Sequence, residues 1–101
     1  MSCILALDQS TSATKAVLFD GRGRVLDRAG RDHRQHYPRP GWVEHDGEEI
    51  WQNCLTVMHE VLERRADVRD GIAGLSLTNQ RETIVVFERA GGRPLHPAIV
   101  W

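Results

Sequence analysis

Apolar residues fall into short runs near both ends of the chain, with one longer stretch of helical spacing between them. Cys3-Ile4-Leu5-Ala6-Leu7 and Ala16-Val17-Leu18-Phe19 are β-prone runs separated by small polar residues, which predicts a hairpin. Gly21-Arg22-Gly23-Arg24, directly after Asp20, predicts a tight turn into a third strand over about Val25 to Ala29. Three consecutive antiparallel strands result. Arg31 to Tyr37 continues as extended chain, and its charge assigns it to an exposed edge. Pro38-Arg39-Pro40-Gly41 breaks the pattern. Asp46 then caps a helix, with Glu49 in capping-box position and Ile50, Cys54, Val57, Met58, Val61 and Leu62 recurring at helical spacing to about Arg65. Such a stripe is expected to pack onto the sheet. Ile72-Ala73-Gly74-Leu75-Ser76-Leu77 reads as a buried strand and Thr83-Ile84-Val85-Val86-Phe87 as another, with a turn at Ala90-Gly91-Gly92. Ala98-Ile99-Val100-Trp101 is a further apolar run that stops mid-strand, as expected of a piece cut from a longer chain.

Composition narrows the class without naming a function. A chain of 101 residues, 41% hydrophobic and 27% charged, forms one soluble domain at most. Its net charge of −1 argues against a general affinity for nucleic acid or anionic membranes. The first apolar run stops at Asp8 with no basic region before it, unlike a signal peptide or a membrane span. Cys3 and Cys54 lie in apolar patterns without metal-like spacing, which predicts reduced core thiols and a cytoplasmic protein.

Two polar segments carry candidate chemistry. Asp8-Gln9-Ser10-Thr11-Ser12-Ala13-Thr14-Lys15 is dense in hydroxyls. Small side chains let backbone N–H groups approach an anion, hydroxyls donate further bonds, and Lys15 adds a point charge. Asp8 is a hard oxygen donor suited to Mg²⁺. The set suits a nucleotide triphosphate, although an ordinary Ser/Thr-rich turn has the same composition. The second segment, Thr78-Asn79-Gln80-Arg81-Glu82, interrupts strongly apolar sequence. Glu82 can accept from the hydroxyls of a small polyol while Arg81 donates to their oxygens, and Trp101 offers an indole face for its carbon chain. A solvated turn with an incidental ion pair, and a packing tryptophan, are the plain alternatives.

Taken in order, these segments resemble a known family. Leu5-Ala6-Leu7-Asp8-Gln9-Ser10-Thr11-Ser12 resembles the first phosphate-binding motif of the FGGY carbohydrate kinases. Pro40-Gly41-Trp42-Val43-Glu44-His45-Asp46 with Glu49-Ile50-Trp51, Thr78 to Thr83, Pro94-Leu95 and Ala98 to Trp101 are similar to its glycerol-kinase branch. The resemblance implies an α/β chain of the ribonuclease-H-like superfold shared by actin, hexokinase and Hsp70 ATPases. Residues 1–101 would form the opening of its first domain, an antiparallel β-meander plus helix, with the second domain absent. It further implies ATP and Mg²⁺ as cofactors, with Asp8 near the metal and Thr11, Ser12, Ala13 and Lys15 at the nucleotide phosphates. Arg81 and Glu82 would hold polyol hydroxyls and Trp101 would pack on the carbon chain. The catalytic base would lie beyond residue 101, so the segment alone is expected to be inactive, and the full-length protein is expected to be a homo-oligomer. Its reaction would be phosphorylation of glycerol to sn-glycerol 3-phosphate. A kinase for another sugar or alditol, and a non-catalytic actin-like nucleotide sensor, are the alternatives.

Three positions depart from the family pattern. Ser10 stands where glycine is usual, so a turn needing positive φ there would be strained or differently shaped. Ala13 replaces a common serine, and Lys15 replaces arginine, losing its bidentate fork. Elsewhere, His33, His36 and His45 match no zinc spacing, Trp42 and Trp51 read as packing beside the Pro-Gly turn, and the arginines at 22, 24, 28, 31 and 34 read as solvated edges.

Overall fold

The computed structural model describes residues 2–101. Strand β1 (Cys3–Gln9) pairs antiparallel with β2 (Ala13–Asp20), and β2 pairs antiparallel with β3 (Val25–Asp32), giving the meander expected from the turn residues. Asp20 builds the second turn: its carboxylate accepts from the Arg22 and Arg24 N–H groups at 2.8 and 2.9 Å, while Gly23 supplies φ +79°. After helix α1 (Gly47–Arg64) and one 3₁₀ turn (Arg69–Gly71), β5 (Ile72–Thr78) returns parallel to β1, so the sheet order is β3-β2-β1-β5. The helix is the crossover such a parallel pairing requires.

Alternation along the strands turns Cys3, Leu5, Leu7, Ala16, Leu18 and Ala29 toward one face, where they pack with Cys54, Val57 and Val61 of the helix. Asp46 caps α1 through the Glu48 N–H (2.9 Å). Glu49 does not complete the capping box. Its carboxylate accepts instead from the Arg34 N–H (2.6 Å), holding the chain that follows β3 against the helix. Strands β4 (Val43–His45) and β6 (Ala98–Val100) form a separate antiparallel pair.

Two expected strands differ. Ile72–Leu77 is extended, but it lies at the sheet edge; the helix sits over β2 and β3 and does not cover it, so Leu75 and Leu77 are 54% and 68% exposed. Thr83–Phe87 is no strand. It makes single bridges at Ile84 (to Ile99) and Phe87 (to Pro94), because Pro94 and Pro97 in the facing segment carry no N–H to complete a ladder. Trp42 and Trp51 are half exposed rather than packed, and the Arg39 guanidinium lies 4.9 Å from the Trp42 ring centroid. Cys3 and Cys54 are buried free thiols. Among the described residues no helix is long and apolar enough to cross a membrane.

Candidate active site

The hydroxyl-rich segment closes the β1–β2 hairpin. Gln9 and Thr14 are its last paired residues, and Ser10 folds back so that its N–H and its Oγ both donate to the Ala13 carbonyl at 2.9 Å. Among the described residues Glu82 alone is a non-glycine with positive φ, so the turn at Ser10 needs no positive φ and carries no such strain. The serine suits this turn because its hydroxyl makes a bond that glycine lacks. Two carbonyls of the loop are tied from outside: the Ser12 oxygen accepts from the His33 N–H (2.9 Å) and the Thr11 oxygen from Gln35 Nε2 (3.3 Å).

The Arg81–Glu82 turn follows β5, the strand beside β1, so the parallel pairing delivers both polar segments to the same end of the sheet. Ser10, Thr11, Asn79, Gln80, Arg81, Glu82 and Trp101 together line a cleft of about 400 Å³. Arg81 and Glu82 are exposed, and neither makes an ion pair among the described residues. Glu82 stands at φ +58°, in the left-handed region that costs a side-chain-bearing residue energy. Trp101 is 79% exposed and offers its indole to the cleft rather than to a core.

The remaining candidates lie around this cleft rather than in its lining. Ser12 is exposed, and Ala13 is buried as the first residue of β2, which leaves it only backbone groups to offer. Asp8 and Lys15 face each other across β1 and β2, with Thr78 of β5 beside Asp8 and Gly30 of β3 beside Lys15. All four occupy one row across the sheet, and alternation places Asp8 and Lys15 on the face opposite the helix-packed Leu7 and Ala16. Among the described residues no group of three or more His, Cys, Asp or Glu side chains could hold a metal ion by itself. A single carboxylate such as Asp8 still fits Mg²⁺, which keeps several waters and takes phosphate oxygens as ligands.

Behind the cleft lies a set of buried polar residues that local sequence patterns did not single out. His33 and His45 are buried, with ring centroids 5.9 Å apart. His33 touches Thr14 Oγ1 (3.0 Å) and Asn53 Nδ2 (3.1 Å). His45 touches Gln35 Oε1 (2.7 Å) and Gln80 Nε2 (3.2 Å). Burial holds both imidazoles below the ordinary histidine pKa, against the opposing pull of Glu49 on the helix. Neutral amides and a hydroxyl surround the two rings, which is the setting of hydrogen-bonded core histidines. Gln80 was visible as part of its polar segment, but its burial depends on residues 35 and 71 positions away.

Comparison with known proteins identifies the family and the fold. Residues 3–101 match the N-terminal domain of the FGGY family of carbohydrate kinases. The chain is 52% identical, over all 101 residues, to a glycerol kinase of Alkalilimnicola ehrlichii. It is 54% identical over 98 residues to one of Bordetella pertussis. It spans about 20% and 19% of the length of those relatives. A crystal structure of Plasmodium falciparum glycerol kinase with ADP superposes with a TM-score of 0.85 at 36% identity, covering 100% of this chain and 20% of that one. A xylulose kinase from Rhodospirillum rubrum gives 0.89 at 26% identity, covering 97% and 20%. The mixed sheet and its helix are thus the opening part of the first domain of an actin/hexokinase-type ATPase fold, and the chain belongs to the FGGY family of carbohydrate kinases.

Proposed function

We propose that this chain is the N-terminal part of an ATP-dependent kinase that phosphorylates glycerol to sn-glycerol 3-phosphate. The observation that carries the reading is the cleft in which Thr11 of the hydroxyl-rich loop meets Arg81, Glu82 and Trp101. Arg81 donates to polyol oxygens, Glu82 accepts from polyol hydroxyls, and the Trp101 indole covers the carbon chain. Thr11, Ser12 and the Ala13 N–H donate to nucleotide phosphates, and Lys15 contributes charge from the neighbouring row. Mg²⁺, held through Asp8, would neutralise phosphate charge when bound. The segment's own work is to fix the acceptor alcohol beside the phosphate loop, since positioning supplies much of the rate in phosphoryl transfer. The base that takes the hydroxyl proton lies outside these residues, so residues 1–101 alone are inactive. The buried reduced thiols suit a cytoplasmic enzyme.

The test is a coupled assay of the full-length protein with ATP against glycerol, erythritol, xylulose and ribulose. The reading expects the highest kcat/KM with glycerol. A clear preference for a pentulose refutes the glycerol assignment, and nucleotide binding without turnover on any acceptor refutes the kinase reading.

A further inference from the structure

The hydrogen bonds behind the cleft have a direction that can be read atom by atom. Gln35 Nε2 lies 3.3 Å from two carbonyl oxygens, those of Thr11 and His33, which fixes its amide orientation and leaves Oε1 as an acceptor. That oxygen is 2.7 Å from His45 Nε2, so the proton of the neutral ring sits on Nε2 and Nδ1 is the acceptor. Gln80 Nε2 donates to that Nδ1 (3.2 Å) and to Thr83 Oγ1 (2.9 Å). Gln80 Oε1 in turn accepts from Gln9 Nε2, and the Gln80 N–H donates to Gln9 Oε1 (3.4 Å). Gln9 Nε2 also lies 2.9 Å from the Ser10 carbonyl and 3.3 Å from His33 Nε2, which share its second hydrogen. The result is a continuous relay. It starts at the Thr11 carbonyl, passes through Gln35, His45, Gln80 and Gln9, and ends at Ser10.

We propose that Gln80 and His45 are positioning residues that lock the Arg81–Glu82 turn to the hydroxyl-rich loop, so that the polyol side and the phosphate side of the cleft are set as one unit. The inference rests on the functional reading above, and it assigns neither residue any contact with substrate. Gln80 is 7% exposed and immediately precedes Arg81, so its buried amide determines where that turn leaves the sheet. The relay admits only the neutral Nε2–H form of His45. A proton added at Nδ1 would face the Gln80 amide as donor against donor. Turning that amide over would let Oε1 accept from Nδ1–H, but it would set the Gln80 and Gln9 Nε2 donors against each other, so the conflict is passed along the relay to the hydroxyl-rich loop and not removed. Among the charged and titratable groups acting on His45, Glu49 of the helix favours the imidazolium, whereas His33 at the end of β3 and His36 in the next loop oppose it.

The experiment uses the full-length enzyme and reads polyol KM, ATP KM and the imidazole ¹⁵N spectrum. Gln80→Leu should raise polyol KM by about tenfold, with ATP KM changed less than threefold and the fold intact by near-ultraviolet circular dichroism. In the wild type, polyol KM should rise as pH falls from 6.5 through the lowered folded-state value of His45. His45→Gln, which keeps one donor and one acceptor but does not titrate, should preserve the neutral-pH KM and flatten that rise. Gln80→Glu should oppose it as well, since a carboxylate facing Nδ1 accepts the proton that the amide refuses. The ¹⁵N spectrum, assigned by the signal lost in His45→Gln, should show an Nε2–H tautomer at pH 7.5. Equal rises in both KM values in Gln80→Leu, a polyol KM unchanged in a folded Gln80→Leu protein, or an Nδ1–H tautomer at His45 each overturn the proposal. If the wild type phosphorylates no polyol, the functional reading fails by itself, and the tautomer still decides whether the relay exists.

Discussion

Replacing Glu82 should move stability and activity in opposite directions, because its backbone and its carboxylate serve different ends. Its φ of +58° lies where an L-residue meets its own carbonyl, at a cost of about 1–2 kcal/mol. Glycine removes that cost but gives the unfolded chain extra freedom, worth roughly 0.4–1 kcal/mol. Glu82→Gly should therefore stabilise by up to ~1.5 kcal/mol. Glu82→Asn, which keeps a Cβ yet tolerates the left-handed region, should stabilise by a smaller amount. Both variants remove the only side-chain carboxylate among the described residues that line the cleft. If that group accepts from polyol hydroxyls, its loss costs about 1–3 kcal/mol of transition-state binding, or roughly ten- to a hundredfold in polyol kcat/KM. Thermal melts and a coupled kinase assay on the full-length protein give the two readings. A lower melting midpoint in both variants would refute the strain argument. An unchanged polyol kcat/KM would show that the carboxylate does not touch the acceptor.

Ser10→Gly should destabilise by roughly 0.5–1.5 kcal/mol, because it deletes the Oγ bond to the Ala13 carbonyl and relieves no positive φ; a denaturant midpoint that rises would contradict this. Lys15→Ala should raise the KM for ATP while sparing that for polyol, and the difference from wild type should shrink with added salt, whereas a salt-independent loss would point to packing. His33 and His45 both have pKa values lowered from 6.5, chiefly by burial, so the unfolded chain binds protons that the folded chain refuses. Their contribution is therefore complete above pH 6.5 and is lost as pH falls from there through the folded-state values. Denaturant midpoints measured between pH 7.5 and 5.5 should fall, and they should fall less in His45→Gln; a flat profile would mean the rings titrate normally.

What the sequence made legible follows from how local each signal is. The helix was readable because Asp46 and the stripe from Ile50 to Leu62 lie within one continuous segment, and the meander because Asp20 and Gly23 build their own turn. Local signals failed where the partner decides. Ile72–Leu77 has the composition of a buried strand, yet its exposure depends on where α1 crosses the sheet, and that crossing lies over β2 and β3. Thr83–Phe87 is β-prone throughout, but a ladder also needs donors from the opposite chain, and Pro94 and Pro97 withhold them.

The site divides along the same line. Thr11, Arg81, Glu82 and Trp101 stand out as polar or aromatic residues in unexpected places; the parallel pairing of β5 with β1 brings the first three to one end of the sheet, and Trp101 joins them at the end of β6, which bridges to Ile84 through Ile99. The residues that hold the cleft's walls together carried no comparable mark. Gln9 and Gln80 are 71 positions apart, and His45 reaches Gln80 across 35, so nothing in either neighbourhood announces the bond. Their burial is nevertheless constrained by chemistry once the fold is known. A buried amide must satisfy two donors and an acceptor, and a buried imidazole must choose a tautomer. Buried Gln80 and His45, in contact with partly buried Gln9 and Gln35, leave few consistent assignments, and the relay they form runs from the hydroxyl-rich loop to the Arg81–Glu82 turn. Exposed cleft side chains such as Arg81 and Glu82, which hold no ion-pair partner among the described residues, can be exchanged one at a time. The relay behind them cannot, because each member's orientation is set by the next.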